Sequence, residues 1–286
     1  MTRETSPQPL DPGLYFVATP LGNARDITLR ALDILGEADV LAAEDTRRLR
    51  QLMEIHGVPL DGRKIQAYHD HNGAAMRPKL IAALEAGQSV AYASDAGSPL
   101  VADPGFGLAR AVIEAKFPVF SAPGPAAVIA ALTVAGLPSD RFTFAGFPPV
   151  AEGARKTFLK GLQQAPGTLI LYESPKRIGK LLVAAADMLG PDRPAALCRE
   201  LTKKFEEVRR ATLAELVVSV AQDPPRGEIV LCIGEGDQTA SPEEIEAALK
   251  KALETQSLKD AAREVADRFG VSRRDLYQKG LSQTKL

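Results

Sequence analysis

The sequence predicts an α/β protein of two domains, and three observations support this. Short apolar segments typical of buried strands alternate with helical segments as far as residue 233. Clusters of small, turn-forming residues follow several of these strands, as they do at the carboxyl ends of strands in parallel sheets. The length of 286 residues suits two modest domains, and a hydrophobic content of 45% is that of an ordinary globular protein.

Composition argues against several other classes of protein. The net charge of −1 gives no global attraction to nucleic acid or membranes, so such a contact needs a local basic patch. Cys198 and Cys232 lie in apolar, strand-like segments and are expected to be buried thiols in the reducing cytoplasm. Residues 1–12 are polar and proline-rich, which predicts a disordered tail and no secretory signal. The apolar segment Phe117–Leu137 is interrupted by Pro-Gly-Pro, so no membrane span is expected.

The first domain is assigned to residues 13–138. Its first helix, Leu29–Leu35, follows a capping residue, Asp26 or Thr28. The loop before it lacks the Gly-x-Gly-x-x-Gly pattern, which disfavours a class I methyltransferase or a nicotinamide dehydrogenase. Strands are predicted at Leu14–Ala18, Val40–Ala43, Lys64–Tyr68, Ser89–Ala93 and Phe117–Phe120, and helices up to about Ile55, at Leu108–Ala115 and at Ala126–Ala135.

The segment Ser94–Pro99 is the centre of the predicted site. It reads Ser-Asp-Ala-Gly-Ser-Pro after a buried strand, and the next strand ends in a second small-residue turn, Ala122–Pro125. Two adjacent turns of this kind let the backbone approach a ligand. Asp95 is the one charge in the first turn and a candidate acceptor for a ligand hydroxyl or ammonium. The alternative is a structural Asx turn or helix cap.

Two other strand ends carry titratable side chains. Glu44 and Asp45 follow the second strand, where either could instead cap the next helix. His69 and His71 follow the third strand, and one could serve as a base near neutral pH. Being two residues apart, they would point to opposite sides of an extended chain, so no metal site is expected. Ordinary surface histidines are the alternative.

The second domain is assigned to residues 139–235, and Pro148-Pro149 marks the boundary. A mixed sheet is expected, and a cleft between two such domains is a preferred place for a small-molecule site. Strands are predicted at Phe142–Ala145, Thr168–Tyr172, Ala195–Cys198, Glu206–Thr212 and Gly227–Ile233, and helices at Glu152–Gln164, Ile178–Leu189 and Leu213–Val220.

Residues 241–286 are predicted to form a helical, helix-turn-helix-like module. Ser272 would cap a second helix that begins with Arg273 and Arg274. The alternative is a helical hairpin that only packs or dimerises. Small or apolar residues fall where the helices would cross or turn, at Ala262, Ala266, Gly270 and Leu276.

Seven motifs follow one another in a fixed order: Val17–Asn23, Ala43–Arg47, Tyr68–Asn72, Ser94–Pro99, Ala122–Pro125, Glu173–Arg177 and Arg199–Lys203. On these motifs, residues 12–235 resemble the tetrapyrrole methylase superfamily, in the bacterial branch that methylates ribose 2′-hydroxyls of 16S rRNA. The tail is similar to the C-terminal helix-turn-helix of that branch.

The resemblance implies a two-domain tetrapyrrole-methylase-like fold with S-adenosylmethionine as the methyl donor. It also implies a homodimer and, as the target, a cytidine near the decoding centre of 16S rRNA within the small ribosomal subunit. Residues 20–23 and 94–96 depart from the usual Gly-Pro-Gly-Asp and Gly-Asp-Pro, which disfavours a tetrapyrrole substrate. The positions that match cofactor-binding ones are Pro20, Ser94, Asp95, Ser98, Ala126, Ala127, Glu173 and Leu201.

A ribose hydroxyl is a weak nucleophile at neutral pH, so a general base would help such a reaction. The candidate bases are Glu44, Asp45, His69, His71 and Glu200, and the sequence does not rank them. Phosphate contacts are predicted for Arg47, Arg177, Arg199, Lys203, Lys204, Arg273 and Arg274. The alternative for each cation is a solvated or ion-paired surface position.

Two other functions remain open on the sequence. A methyltransferase for a tetrapyrrole or another small molecule would share the cofactor turns but would need neither a basic rim nor the tail. A ligand-sensing regulator with a DNA-binding tail would bind palindromic duplex DNA and would transfer no methyl group.

Overall fold

The computed structural model describes residues 9–236, 242–269 and 271–283. The chain divides into two compact units, Met1–Gly234 and Glu235–Leu286. None of the helices in the described ranges is both long and apolar enough to cross a membrane.

The first unit contains two five-stranded sheets, and the first of these is wholly parallel. Its strands are β1 (Gly13–Val17), β2 (Val40–Ala43), β3 (Ile65–Ala67), β4 (Ser89–Ala93) and β5 (Val119–Ala122). Their order across the sheet is β3-β2-β4-β1-β5. All five carboxyl ends therefore lie along one edge, as the sequence predicted.

Five helices accompany this sheet: α1 (Leu29–Glu37), α2 (Thr46–Ile55), α3 (Gly73–Glu85), α4 (Phe106–Glu114) and α5 (Ala127–Ala135). The Thr28 side chain caps α1 by accepting from the Ala31 amide at 3.1 Å. The sequence did not predict α3, which has Pro78 in its interior and begins at Asn72 without a side-chain cap. The strand predicted from Phe117 begins instead at Val119.

The two faces of the parallel sheet carry separate cores, because alternate residues of each strand point to opposite faces. Ala91 and Ala93 of β4 face the core that contains α1 and α2. Val90 and Tyr92 face the core that contains α3 and α4. Every residue of β1 and β4 is buried, as expected for central strands of a parallel sheet.

The second sheet is mixed, as predicted. Its order is β6-β7-β10-β8-β9; β6 pairs with β7 in parallel, and the other pairs are antiparallel. The strands are β6 (Phe142–Gly146), β7 (Thr168–Glu173), β8 (Pro194–Arg199), β9 (Glu207–Thr212) and β10 (Ile229–Ile233). The helices α6 (Glu152–Gly161), α7 (Ile178–Leu189) and α8 (Leu213–Gln222) pack on one face of this sheet.

Helix α5 covers the other face of the second sheet, although it follows the last strand of the first. Its Ala131 and Leu132 are buried with Cys198 and Cys232 of β8 and β10, and both cysteines are free and buried. Helix α5 therefore belongs to the core of the second sheet, while the chain joins it to β5 of the first. The domain division after residue 138 stays a prediction.

The end of the predicted N-terminal tail contacts the first sheet. Leu10 packs against the core beside α1, and the Tyr15 hydroxyl donates to the Asp11 carbonyl at 3.0 Å. Residues 1–8, the remainder of that predicted tail, lie outside the described residues.

The second unit is helical, as predicted. It consists of α9 (Pro242–Leu253), α10 (Leu258–Phe269) and α11 (Arg273–Gln283). Ala262, Ala266 and Leu276 are buried in its core with Leu249 and Val265. The Ser272 hydroxyl accepts from the Asp275 amide at 3.4 Å, the position of a weak cap on α11. Gly270, the predicted turn residue, lies outside the described residues.

Candidate functional site

The turns at the carboxyl ends of β1 and β4 are bonded to each other. Thr19 and Gly97 exchange two backbone hydrogen bonds, each of 2.9 Å. The Ser94 hydroxyl donates to the Gly97 carbonyl at 2.7 Å, and the Ser98 hydroxyl donates to the Pro125 carbonyl at 3.0 Å. The Ser94 hydroxyl therefore closes its own turn, and the Ser98 hydroxyl joins that turn to the one after β5. Backbone and small side chains are left to face a ligand.

Two glycines make this arrangement possible. Gly97 has a φ of +85°, in the left-handed region that favours glycine. A Cβ on Gly124 would approach the Cβ of Ala18 to 2.9 Å, so the turn after β5 can lie against the turn after β1 only without a side chain there.

Asp95 joins the turn after β4 to the start of α2. One carboxylate oxygen accepts from the Asp45 amide at 2.8 Å, and the other lies 3.6 Å from the Arg48 guanidinium. The carboxylate also lines a cleft. Asp95 can therefore have both roles that the sequence suggested, a structural one at the start of α2 and contact with a ligand in the cleft.

The cleft has a volume of about 520 Å³ and lies between the carboxyl edge of the first sheet and β7, β10 and the loop after β8. Glu44, Asp95 and Asp103, from the side of the first sheet, are its acidic floor; Glu173 and Glu228 add two carboxylates from the side of the second sheet, and most of the other lining residues are small or apolar. The lining residues are Leu21, Glu44, Arg48, Asp95, Ala96, Gly97, Ser98, Val101, Ala102, Asp103, Ala126, Ala127, Phe147, Tyr172, Glu173, Ser174, Pro175, Leu201, Gly227, Glu228, Ile229 and Val230.

Six of the eight predicted cofactor positions line this cleft: Asp95, Ser98, Ala126, Ala127, Glu173 and Leu201. The other two, Pro20 and Ser94, line an adjoining cavity of about 290 Å³ next to α2. Arg48 and Asp95 line both cavities, so their ion pair forms part of the wall between them. Cofactor binding by these eight residues stays a prediction.

Two carboxyl groups at the floor of the cleft, those of Asp103 and Glu44, have raised pKa values. Burial raises the pKa of Asp103 to about 7, and the charges of Glu44 and Asp95 add to this rise. Burial is also the largest cause of the raised pKa of Glu44, followed by the charge of Asp95. Tyr92 on β4 does not line the cleft, but its buried hydroxyl has no hydrogen-bond partner among the described residues, and burial raises its pKa as well.

The other candidate bases do not line the cleft. Asp45 caps α2 through the Arg47 amide, and hydrogen bonds from the Arg47 side chain and amide hold its pKa far below the usual value. Hydrogen bonds from the Glu228 amide and from Lys203 lower the pKa of Glu200. These contacts favour structural roles for both carboxylates, and their selection as bases stays a prediction.

The expectation that His69 and His71 point to opposite sides is wrong. Their rings meet edge to face at 5.9 Å, because the chain turns here and is not extended. The Asn72 side chain closes this turn by accepting from the His69 amide at 2.9 Å. Within the described ranges, no group of three or more His, Cys, Asp or Glu side chains could hold a metal ion.

Most of the predicted phosphate-binding cations in the first unit form ion pairs. Arg177 contacts the buried Glu173 carboxylate at 2.6 Å, and Lys203 contacts Glu200 at 2.9 Å and Glu228 at 2.8 Å. Arg199 lies 2.5 Å from Glu207, and Arg47, although 89% exposed, lies 2.8 Å from Asp45. The Lys204 ammonium lies over the Phe205 ring at 5.5 Å. Arg273 and Arg274 are exposed on α11.

Left-handed residues other than glycine flank the cleft on two sides. Leu100 and Ala102 have φ values of 70° and 60°, just before Asp103. Glu200 and Thr202 have φ values of 51° and 65°, on either side of Leu201. Such conformations are strained for these residue types and concentrate at functional sites.

Arg48, Asp103 and Tyr172 line the cleft but were not among the predicted site residues. Arg48 lies in the same charged segment as Glu44, so its place near the site could have been predicted from the sequence. Asp103 lies eight positions after Asp95 in the sequence. It lines the same cleft because of the conformation of the loop between them, which the sequence does not reveal. Tyr172 closes an apolar strand and was predicted only as part of it.

Solved structures define the class of fold. The chain is similar to diphthine synthase, with a TM-score of 0.60 and 17% identity, over 82% of this chain and 93% of that one. It is also similar to uroporphyrin-III C-methyl transferase of Thermus thermophilus complexed with S-adenyl homocysteine, with a TM-score of 0.54 and 22% identity, over 78% and 97%. This is the two-sheet fold of tetrapyrrole methylases, as expected.

Family models match both units: tetrapyrrole (corrin/porphyrin) methylases at residues 13–217 and the RsmI C-terminal HTH domain at residues 239–284. Ribosomal RNA small subunit methyltransferase I of Mesorhizobium japonicum is 48% identical, over 96% of this chain and 94% of that protein. The protein of that name from Escherichia coli O157:H7 is 42% identical, over 94% and 95%. The chain belongs to the tetrapyrrole methylase family, in its branch of ribosomal RNA small subunit methyltransferases I.

Proposed function

We propose that the chain transfers a methyl group from S-adenosylmethionine to the 2′-hydroxyl of a cytidine ribose in 16S rRNA, near the decoding centre of the small ribosomal subunit. The full-length similarity to ribosomal RNA small subunit methyltransferases I supports the substrate class. The observation that carries the chemistry is the 520 Å³ cleft, in which small-residue turns and carboxylates face one space.

The two ends of the cleft fit the two halves of S-adenosylmethionine. Ala126, Ala127, Leu201 and Val230 give an apolar wall that suits the adenine ring. The turn around Gly97 presents backbone atoms to a ligand and no side chain. A Cβ at Gly97 would lie 3.2 Å from the Leu21 side chain, so there is little room for one. The acidic floor suits the positively charged sulfonium and amino groups.

S-adenosylmethionine supplies a methyl group made electrophilic by its sulfonium sulfur. The bond from O2′ to the methyl carbon forms as the carbon–sulfur bond breaks, the electron pair stays on sulfur, and the hydroxyl proton leaves to a base. Among the five candidate bases, Glu44 lines the cleft. Its raised pKa makes it a better proton acceptor than an ordinary glutamate. We therefore assign the base to Glu44.

The adjoining 290 Å³ cavity is a suitable entry for the target nucleotide, because it meets the cofactor cleft at Arg48 and Asp95. Helix α2 exposes Arg47, Arg48 and Arg50 beside it. These cations can neutralise RNA phosphates around an unstacked nucleotide, the form in which RNA sequence is mostly read.

Labelled S-adenosylmethionine tests this function when it is offered with small ribosomal subunits, free 16S rRNA, a tetrapyrrole or duplex DNA in parallel. We expect label in the rRNA, and we expect the labelled linkage to resist alkali because cleavage needs a free 2′-hydroxyl. Label in the tetrapyrrole alone would support the small-molecule alternative. Binding to duplex DNA without any transfer would support the regulator.

We also propose that the protein forms a homodimer and is located in the cytoplasm. Phe106 and Ile113, two large apolar side chains exposed on α4, are of the kind that a subunit interface covers. The two buried free cysteines are compatible with the reducing cytoplasm. Sedimentation equilibrium tests the dimer, and a single monomeric species at micromolar concentration would contradict it.

A further inference from the structure

We propose that the turn at residues 203–206 binds the nucleotide next to the target cytidine: the Phe205 ring stacks on its base, and the Lys204 ammonium contacts its phosphate. This inference deepens the proposed function and rests on it. It assigns an RNA contact outside the donor cleft to an aromatic residue that was not among the predicted site residues.

This turn is held in place by hydrogen bonds at its base. The Glu206 amide donates to the Lys203 carbonyl at 3.1 Å, which closes the turn with Lys204 and Phe205 at its tip. The Glu206 carboxylate accepts from the Thr202 amide at 2.5 Å. The two residues at the tip are therefore presented by an ordered backbone.

The tip exposes an aromatic ring that belongs to no core. Phe205 is 63% exposed, and it packs in none of the hydrophobic cores formed by the described residues. The Lys204 ammonium lies over the ring, 5.5 Å from its centre. A side chain this exposed leaves ring surface on which a planar base can stack, and stacking of this kind suits any base.

Lys204 differs from the other predicted phosphate-binding cations of the first unit. Each of those four lies within 2.9 Å of a carboxylate oxygen: Arg47, Arg177, Arg199 and Lys203. Lys204 is exposed, and no carboxylate in the described part of the chain forms an ion pair with it. An unpaired ammonium beside an exposed ring matches the two halves of a nucleotide, its phosphate and its base.

The turn adjoins the cavity that we assign to the entering nucleotide. A Cβ on Gly22 would collide with the Lys203 side chain, so these two residues are in close contact. The Asn23 amide donates to the Thr202 hydroxyl at 3.2 Å. Gly22 also lines the 290 Å³ cavity. The chain passes from this contact to Phe205 within two residues, so a nucleotide at the tip is a neighbour of the one in the cavity.

RNA fits this tip better than a second copy of the chain does. A protein interface that covered the ring would also remove water from an ammonium that has no carboxylate partner, and this is costly. RNA supplies the missing anion, and unstacked bases on aromatic side chains are a common mode of RNA recognition. Phe106 on α4 shows the contrast, because the cation over its ring, Arg110, is already paired with Glu114 at 3.1 Å.

Steady-state methylation of small ribosomal subunits by the full chain is the first test. Phe205→Leu keeps an apolar side chain and removes the ring, so the KM for the subunit should rise at least about fivefold, the loss of one base–aromatic stack. Phe205→Trp should restore the original KM. Affinity for S-adenosylmethionine should not change, because Phe205 does not line the cleft. Phe142→Leu, at an exposed ring that begins β6, is the control and should leave the KM unchanged.

The salt dependence of binding to free 16S rRNA separates the two side chains at the tip. Lys204→Gln should reduce the slope of log affinity against log salt by about one, since about one counterion fewer is released. Phe205→Leu should weaken binding at every salt concentration and leave the slope unchanged. Lys160→Gln removes the same charge from an exposed position in the last turn of α6 and should change neither quantity.

A fluorescence titration gives a third readout that does not depend on activity. The chain contains no tryptophan, so Phe205→Trp introduces a single indole at the tip of the turn. A base that stacks on an indole quenches its emission. We expect 16S rRNA to quench Phe205→Trp more strongly than Phe142→Trp, and we expect S-adenosylmethionine to leave both emissions unchanged.

An unchanged KM in Phe205→Leu, or equal quenching of the two tryptophan variants, would overturn the inference and leave the proposed function standing. An unchanged salt slope in Lys204→Gln would overturn the phosphate contact. Emission of Phe205→Trp that varies with protein concentration in the absence of RNA would also overturn the inference, because a second copy of the chain would then cover the ring. If the unsubstituted chain methylates no rRNA, the proposed function and this inference both fail.

Discussion

At the scale of single residues, the Asp103 carboxylate should lower the stability of the folded protein near neutral pH. Its pKa of about 7 means that its ionised form is less favourable in the folded protein than in the unfolded chain. Below the usual aspartate pKa the carboxyl is neutral in both the folded and the unfolded protein, and the free energy of unfolding is not reduced. As the pH rises from there through about 7, the unfolded chain ionises first and the free energy of unfolding falls.

We therefore predict that Asp103→Asn raises the unfolding temperature of the ligand-free protein at about pH 8 by about 2 °C, after discounting for partial exposure, with little change at about pH 4. Thermal unfolding at both pH values checks this. A rise of equal size at both pH values would show that the side chain acts through packing and not through its charge.

Glu44 is the general base that we propose for the proton transfer. Glu44→Gln should lower the single-turnover rate of methyl transfer about 100-fold at saturating donor, since a general base typically contributes that much or more. Asp45→Asn is the matched control, because asparagine can also cap α2 and Asp45 does not line the cleft. Rates of the two variants within about threefold of each other would contradict the assignment of the base to Glu44.

At the scale of secondary-structure elements, the site depends on how the strand-end turns join. Gly97→Ala should destabilise the protein by about 1–2 kcal/mol, because alanine is strained at the left-handed φ of this turn. Donor affinity should fall as well, since Gly97 lines the cleft. Gly153→Ala on α6, where a Cβ would meet no atom within 4 Å, is the control. Denaturant unfolding and calorimetry of both variants provide the measurement.

The sequence predicted those elements whose signals are local. Strands β2 and β4 and helix α7 lie where their apolar patterns placed them. Helix α3 was missed because a proline interrupts it and no side chain caps it. That α5 would cover the second sheet could not be predicted, because its small residues suit either sheet and only the tertiary fold chooses.

The same distinction holds for the candidate site. Asp95 was predicted because its turn has a composition that occurs at ligand sites. Asp103 was not, because it joins Glu44 and Asp95 only through a loop with two left-handed residues. The histidine pair was misjudged because the chain turns immediately after β3 and is not extended there.

At the scale of the whole molecule, we propose that the first unit binds the donor and that the helical second unit contacts RNA. All residues that line the cleft lie between Leu21 and Val230, within the first unit. Removal of residues 241–286 should leave donor affinity nearly intact, weaken binding to the ribosomal substrate and flatten its salt dependence, since fewer counterions are released. Titrations of the truncated protein with donor, and with RNA at several salt concentrations, check this prediction.

Substitutions in the full chain separate RNA contact from loss of folding in the tail. Arg273→Ala with Arg274→Ala should reproduce the weaker RNA binding, whereas Lys250→Ala with Lys251→Ala removes equal charge from the exposed end of α9. Equal effects of the two pairs would indicate that only net charge matters. If truncation lowers donor affinity as well, the tail supports the first unit structurally.

Activity should not depend on a metal ion. The described ranges contain no cluster of metal ligands, and methyl transfer from a sulfonium needs no Lewis acid. Treatment with a chelator should leave the rate unchanged on free 16S rRNA, once RNA folding is controlled with a monovalent salt. Loss of activity that one particular divalent metal restores would contradict this expectation.

The most direct test of the central claim is to identify the methylated nucleoside itself. Small ribosomal subunits are incubated with the protein and S-adenosylmethionine, the 16S rRNA is digested to nucleosides, and the products are fragmented by mass spectrometry. We expect a cytidine whose added methyl group stays with the sugar fragment, and we expect this product to be lost with Glu44→Gln. A methyl group on the base, or an unmodified rRNA beside active enzyme and bound donor, would contradict it.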